Sequence, residues 1–163
     1  ETEPVSSDIW DGSTGFQTMY ELFVDGKPIE ETSQYQNMEK ELFTRHETVE
    51  HRFRTVEQIV QYLEGFRNIF NEIKENGYKS QHELEKPYSL NEIWVNIGRA
   101  GEVIWAGNGS HRLAIAIILG IESVPVRVQV VHRLWAERCF NEGKYGVLEE
   151  INRGLCDIGS RFR

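Results

Sequence analysis

The sequence has few cysteines, few prolines and no apolar segment long enough to cross a membrane. Its 163 residues include two cysteines, Cys139 and Cys156, and four prolines. Two cysteines at this separation form neither a disulfide framework nor a zinc-binding pattern, so we predict a reducing, cytoplasmic environment. The longest apolar run, residues 113–121, contains a glycine and is far shorter than a membrane-spanning helix. No signal-peptide pattern is visible, and we predict no membrane insertion.

The sequence is instead rich in charge and has enough apolar residues for a globular core. Hydrophobic residues make up 39% of the chain and charged residues 27%, which excludes wholesale disorder. The net charge is −8, but residues 1–91 carry 18 acidic and 9 basic side chains, whereas residues 92–163 carry 8 acidic and 9 basic ones. The acidic total disfavours non-specific DNA binding, because that affinity depends on Lys and Arg neutralising phosphates. The C-terminal half is the better candidate for holding an anion.

The N-terminal half is predicted to be an extension followed by one strong helix. We interpret residues 1–17 as an arm, residues 18–29 as a short hairpin, residues 31–54 as partly helical and residues 78–90 as a loop. Thr55 and Gln58 form a capping-box pattern, which predicts that a helix begins there. Apolar residues then recur at helical spacing until Gly77, which is a good C-terminal stop.

The C-terminal half alternates strands and helices. We predict strands over residues 92–97, 102–105 and 124–131, a buried helix over 113–119, a further helix over 132–141 and a weakly patterned tail over 142–163. The predicted fold is α+β, with a small mixed sheet and an α-rich N-terminal extension. The predicted division is an extension at 1–54, a core at 55–141 and a tail at 142–163.

The segment that indicates chemistry is Gly107-Asn108-Gly109-Ser110-His111-Arg112, between a predicted strand and the buried helix. Two glycines permit a tight turn and close approach of a ligand. Ser110 is placed to cap the helix, where free backbone N–H groups favour negative charge. A basic Arg112 in the first helical turn is unfavourable unless an anion lies nearby. The alternative is an ordinary capped loop in which Arg112 pairs with an acidic side chain.

The stretch 66–131 resembles the ParB/sulfiredoxin superfamily. The shared order is a helix ending in a glycine (IKENGYKSQ, 73–81), a strand, a hairpin (RAGEVIWAG, 99–107), a box that opens a helix (GNGSHRLAIAIILGI, 107–121) and a strand (SVPVRV, 123–128). Most members of this superfamily hold a nucleotide phosphate at the box. The resemblance therefore implies a ParB/sulfiredoxin-like fold and phosphate binding by Gly107, Gly109, Ser110, His111 and Arg112.

The same resemblance implies further contacts and a ligand class. Lys79 and Gln81 lie in the loop that is near the nucleotide in the superfamily, and Arg99 in the hairpin could reach the same place. The implied ligand is ATP, ADP or CTP with Mg²⁺. For each of the three side chains a solvated turn is the alternative.

This sequence departs from two branches of the superfamily. Sulfiredoxins have a catalytic cysteine in their G-G-C-H-R box, where this chain has Ser110, so sulfiredoxin chemistry is not expected. The chromosome-partitioning members have a G-E-R-R-type box and a following helix-turn-helix DNA reader. The residues after the third predicted strand are too few for that reader, so we do not expect one.

The dense run RHETVEHRFR at residues 45–54 is the best source of a general base. Glu47 or Glu50 could activate an acceptor hydroxyl, and if residues 46–51 are helical, each carboxylate shares a face with a histidine. His111 and His132 are further catalytic candidates. A solvated charged helix is the alternative for the run, and a packed histidine is the alternative for His132.

Three functions remain open at this point. The first is a nucleotide-binding phosphotransferase or NTPase that acts on a small-molecule acceptor. The second is a non-catalytic module that binds a nucleotide or a partner. The third is a ParB-like protein that binds or cleaves DNA, which the acidic net charge disfavours.

Overall fold

A computed structural model of the chain describes residues 14–85, 91–141 and 145–160. The helices are α1 (Thr14–Phe23), α2 (Ser33–Arg45), α3 (Val56–Asn76), α4 (Ser110–Ile118), α5 (Arg133–Asn141) and α6 (Val147–Ser160), and a short 3-10 helix covers Ile29–Glu31. The strands are β1 (Ile93–Ile97), β2 (Val103–Trp105) and β3 (Val126–Val131). The α+β class predicted from the sequence is confirmed.

The three strands form one mixed sheet in the order β2-β1-β3. β1 pairs antiparallel with β2, with Val95 opposite Trp105, and parallel with β3, with Ile93 opposite Val126. Alternate residues of β1 are buried, which confirms the period-two pattern of the sequence. The parallel pairing requires a crossover, and α4 lies between β2 and β3 in the chain.

The described residues divide into two compact units. The first contains residues 14–78 and 110–120, and the second contains residues 79–85, 91–109, 121–141 and 145–160. α3 and α4 group with the N-terminal helices, and α6 groups with the sheet, whereas the predicted boundaries fall after residues 54 and 141. The glycine-containing box is therefore shared: Gly109 is the last residue of one segment of the second unit, and Ser110 begins a segment of the first.

The first unit is a four-helix arrangement around an apolar core. α1 packs against α4 and α2, and α3 packs against α2 and α4. The fully buried core side chains are Phe16, Met19, Ile59, Leu63 and Ile115. The Thr55 hydroxyl accepts from the Gln58 N–H, and the Gln58 side chain accepts from the Thr55 N–H, so the predicted capping box is confirmed. The predicted stop at Gly77 is confirmed as well.

The second unit has its core between the sheet and the last two helices. Ile97, Trp135 and Ile158 are buried there. The half-buried side chains that pack on them are Val128, Val131, Ala136, Cys139, Ile151 and Leu155. Within the described part of the chain, Cys139 and Cys156 form no disulfide.

Two sequence predictions are wrong, and one stated condition is not met. No hairpin forms over 18–29: residues 18–23 belong to α1, because Phe16, Met19 and Leu22 bury one helical face, and Gly26 (φ 67°) lies in the loop that follows the helix. The tail over 142–163 contains α6, whose Ile158 completes the second core. The conditional helix over 46–51 does not form, since α2 ends at a left-handed His46 (φ 63°). The part of the predicted arm that precedes Thr14 lies outside the described residues.

Candidate functional site

The loop before α4 is anchored to the start of β1 within the second unit. The Asn108 side-chain amide donates to the Glu92 carbonyl at 3.0 Å, and the Trp94 N–H donates to the Asn108 carbonyl at 3.3 Å. Gly107 and Gly109 both have positive φ, 85° and 74°. A Cβ on Gly109 would lie 2.7 Å from the Ile93 Cα, so close backbone packing demands glycine there. At Gly107 nothing lies within 4 Å of such an atom.

The first turn of α4 is packed against the first turn of α1 within the first unit. A Cβ on Gly15 would lie 2.8 Å from the Ser110 Oγ and 3.0 Å from the His111 Nε2. Gly15 therefore lets the two helices approach closely. Ser110 is the first residue of α4 rather than the residue before it. The N–H groups of Ser110, His111 and Arg112 belong to the turn that has no acceptor within its own helix.

Arg112 is held in the first turn of α4 by Tyr78. Its Nε donates to the Tyr78 hydroxyl at 3.0 Å, and its guanidinium carbon lies 4.6 Å from the centre of the same ring. Hydrogen bonding and cation–π attraction both restrict the guanidinium. The result is a positively charged, oriented side chain at the positive end of a helix dipole.

His111 is a packed, neutral imidazole rather than a second cation. Its ring stacks on Phe66 with a centre-to-centre distance of 4.1 Å and an angle of 20° between planes. Burial, with a smaller contribution from nearby His51, lowers the pKa of His111 from 6.5 to about 4. The ring is therefore uncharged at pH 7. Its Nε2 is buried and has no hydrogen-bond partner among the described residues.

His111 belongs to a cluster that we call the His–Tyr cluster, formed by Gln34, His51, Tyr62, Phe66 and His111. The ring of Tyr62 lies 4.4 Å from that of His51 and 6.4 Å from that of His111. Burial raises the pKa of Tyr62 to about 12, and the Glu50 carboxylate adds to the shift, against a hydrogen bond with Gln34 that lowers it. Gln34 Oε1 and His51 Nε2 are buried without a hydrogen-bond partner in the part of the chain that the structure describes.

The structure thus brings part of the 45–54 run close to His111, with His51 as the link. Glu50 is mostly exposed and lies 3.8 Å from His51 Nε2. The two carboxylate oxygens of Glu47 lie 3.2 Å and 3.7 Å from the guanidinium groups of Arg52 and Arg54. Glu47 is therefore engaged in ion pairs, and of the two predicted bases Glu50 is the more accessible.

The remaining candidates belong to the second unit. Lys79 and Arg99 are exposed. Gln81 is buried, and its N–H donates to the Glu92 carboxylate, so Glu92 anchors both Gln81 and the loop at Asn108. The Arg99 carbonyl accepts from the Arg138 guanidinium. His132 is exposed, and its Nδ1 accepts from the Leu134 N–H at 3.1 Å, so its ring caps the start of α5.

Four residues that organise these contacts were given no role of their own from the sequence: Tyr78, Glu92, Asn108 and Tyr62. Tyr78 follows the predicted helix stop and is 34 residues from its partner Arg112. Glu92 directly precedes β1, Asn108 follows β2, and Tyr62 lies within α3. Nothing in the residue pattern marks these pairings, because each contact joins segments that are distant in sequence.

Within residues 14–85, 91–141 and 145–160, no group of three or more His, Cys, Asp or Glu side chains could hold a metal ion. No described helix has the length and apolar character needed to cross a membrane. Comparison with protein-family models, with curated proteins and with solved structures finds no match to this chain. The resemblance to the ParB/sulfiredoxin superfamily therefore stays a prediction.

Proposed function

We propose that this chain binds a phosphorylated small molecule, most simply a nucleotide, at the first turn of α4. The phosphate would accept hydrogen bonds from backbone N–H groups of Ser110–Arg112 and from the Arg112 guanidinium. Backbone N–H groups at a helix start, together with the helix dipole, form a general anion-binding arrangement.

The observation that carries the proposal is the placement of Arg112 by Tyr78. An exposed cation in the first turn of a helix costs about 0.3–1 kcal/mol, because it faces the positive end of the dipole. Here the cation is also fixed by an aromatic hydroxyl and ring from a different segment. A restricted guanidinium suits bidentate recognition of a phosphate.

His111 supports this proposal as a positioning residue. Its neutral ring stacks on Phe66 of α3 and lies against Gly15 of α1, which fixes the first turn of α4 relative to both helices. The positive charge at the site is that of Arg112. The predicted role of His111 as a direct phosphate ligand or catalytic group stays a prediction.

We propose binding, and phosphoryl transfer stays a prediction from the sequence. Of the predicted bases, Glu47 is engaged by two arginines, whereas Glu50 lies at the exposed end of the His–Tyr cluster. A Glu50→Gln variant separates the two possibilities. Loss of turnover with unchanged nucleotide affinity would indicate an enzyme, and absence of turnover in the native chain would indicate a binding module.

The experiment that tests binding is a thermal-shift screen of ATP, ADP, CTP, GTP and inorganic phosphate, each with and without Mg²⁺. A ligand at 100 times its dissociation constant adds about 2.7 kcal/mol to the free energy of unfolding. We expect one nucleotide to raise the melting temperature of the native chain and of Arg67→Ala, a control in which an arginine of α3 is removed instead. We expect a clearly smaller rise with Arg112→Ala, because a tenfold loss of affinity reduces the added free energy to about 1.4 kcal/mol at the same ligand concentration. An undiminished rise in Arg112→Ala would contradict the proposed site.

A further inference from the structure

The imidazole ring of His111 is covalently part of the turn at which we place the anion. The N–H of His111 is one of the backbone donors that have no acceptor within α4. The ring is joined to this N–H through the Cα and Cβ atoms alone. Its centre therefore lies within about 8 Å of any oxygen that accepts from the N–H, whatever the rotamer.

Neighbouring helices hold the His111 ring beside this turn. Phe66 of α3 stacks on the ring at 4.1 Å. On the side of α1, a Cβ on Gly15 would lie 3.0 Å from Nε2, and Nε2 is buried without a hydrogen-bond partner among the described residues. The ring therefore remains close to the anion site and is shielded from water, which strengthens its interaction with a nearby charge.

The charges around the ring disfavour its protonation while no anion is bound. Burial, and after it the nearby His51, lowers the pKa of His111 to about 4. The first turn of α4 is the positive end of a helix dipole. Burial raises the pKa of Tyr62 to about 12, so that its ring is neutral at acidic and neutral pH. The ionisable groups that face the ring or its immediate neighbours are Arg112 in α4, His51 and the 77% exposed Glu50 after α2, and Tyr62 in α3.

A bound anion reverses this balance. At a distance of about 8 Å and an effective dielectric constant of about 20, one unit of negative charge favours the protonated ring by a factor of about thirty. Binding of the two charges is reciprocal, so a proton on the ring favours the anion by the same factor. The effect requires no new contact, because the ring is already fixed next to the N–H groups of the turn.

We propose that an anion bound at the first turn of α4 takes up one proton from solvent on the His111 ring, so that the affinity of this site rises as the pH falls. The inference rests on the proposed function and adds a regulation to it. The site would hold phosphorylated ligands more tightly in acid and release them as the pH rises.

The test is a titration of the full chain with sulfate, followed by backbone amide NMR at pH 7.5 and pH 5.0 and constant ionic strength. Sulfate has the tetrahedral shape of phosphate and stays fully ionised over this range, so its own protonation does not enter. We expect the signals of Ser110, His111 and Arg112 to shift saturably, with at least threefold tighter binding at pH 5.0. A titration of the His111 ring signals should have its midpoint at a higher pH with saturating sulfate than without it.

Variants assign the effect to one histidine. His111→Gln should bind sulfate with nearly equal affinity at the two pH values. The matched variant His82→Gln, which removes an exposed histidine of the second unit, should keep the threefold difference. His51→Gln should keep it too, because His51 opposes the charge on His111. Where His111→Gln does not fold, the ring titration of the native chain decides.

Three results would overturn the inference: equal sulfate affinity at the two pH values in the native chain, an unmoved midpoint of the His111 titration, or a pH dependence that persists in His111→Gln. Absence of saturable sulfate shifts would overturn it as well. The proposed function is decided separately by the nucleotides of the thermal-shift screen. A nucleotide that binds through Arg112 without these pH effects would leave that function standing and remove only the regulation.

Discussion

Acidification should lower the free energy of unfolding through His111, by an amount that follows from the pKa of this residue in the folded chain. The pKa of His111 is about 4 in the folded chain because of burial, against an ordinary value of 6.5. Between these two values the unfolded chain binds more protons than the folded chain. The contribution of the neutral ring to the free energy of unfolding is therefore fully present above pH 6.5, and it is lost as the pH falls toward 4.

The size of this effect follows from the same two values. One pKa unit corresponds to about 1.4 kcal/mol, and integration from pH 7 to pH 4.5 gives a loss of about 2 kcal/mol in the free energy of unfolding. Carboxylates also titrate in this range. A His111→Gln variant separates the effect of the histidine from that of the carboxylates, because the loss of packing in this variant costs the same at both pH values.

The assay is urea unfolding followed by circular dichroism at pH 7.0 and pH 4.5 for the native chain and for His111→Gln. The native chain should lose about 2 kcal/mol more than the variant over this change in pH. An NMR titration of His111 supplies the direct check. A pKa near 6.5, or equal losses in the two proteins, would refute the packing and neutral state described for this ring.

Three further predictions concern stability and are measured by urea unfolding at pH 7. Thr55→Ala removes the hydroxyl of the capping box and should lower the free energy of unfolding by about 1 kcal/mol. The control Thr44→Ala, at an exposed position, should lower it by less than about 0.5 kcal/mol. Equal losses of stability would show that the cap contributes nothing. Gly109→Ala should cost about 1–3 kcal/mol more than Gly107→Ala. Both residues have positive φ, but only at Gly109 would the added Cβ lie 2.7 Å from backbone atoms. A similar cost for the two variants would refute the close packing of Gly109 on β1. Glu21→Gln should cost about 1–3 kcal/mol, because this buried carboxylate accepts from the Ser33 N–H and hydroxyl and from Lys27. These contacts overcome the effect of burial and hold the pKa of Glu21 below the usual range. The exposed Glu31→Gln is the control, and equal stability of the two variants would contradict a stabilising role of these contacts.

The parts of the fold that the sequence predicted are those with strong local signals. The capping box of Thr55 and Gln58 and the stop at Gly77 defined α3 closely. Alternation in Ile93–Ile97 defined β1, and the valine-rich run defined β3. In these segments local pattern and tertiary burial agree, so that sequence reasoning succeeds.

The errors arose where two patterns compete. Residues 18–24 include aromatic and branched residues before Asp25-Gly26, which is typical of a hairpin, but packing of Phe16, Met19 and Leu22 against neighbouring helices stabilises a helix instead. In α6, Ile151, Leu155 and Ile158 lie at helical spacing, and the glycines at 154 and 159 obscured that signal. Gly154 packs closely against Trp135, since a Cβ on residue 154 would lie 3.1 Å from the Trp135 ring.

The candidate site was predictable only in part. The glycine pattern and Arg112 were visible as a helix start that suits an anion. The partners that shape the site were not, because Tyr78, Phe66 and His51 reach α4 only through tertiary contacts. These contacts also explain why His111, which looks like a cation in the sequence, is a neutral packed ring.

The central claim is that a phosphorylated ligand binds at the first turn of α4. Its most direct test is a titration of the full chain with the nucleotide that gives the largest thermal shift, followed by the backbone amide signals of Ser110, His111 and Arg112. We expect these three signals to shift saturably in the native chain, and we expect Arg112→Ala to weaken binding at least tenfold whereas Arg67→Ala does not. Saturable shifts confined to other residues, or undiminished affinity in Arg112→Ala, would contradict it.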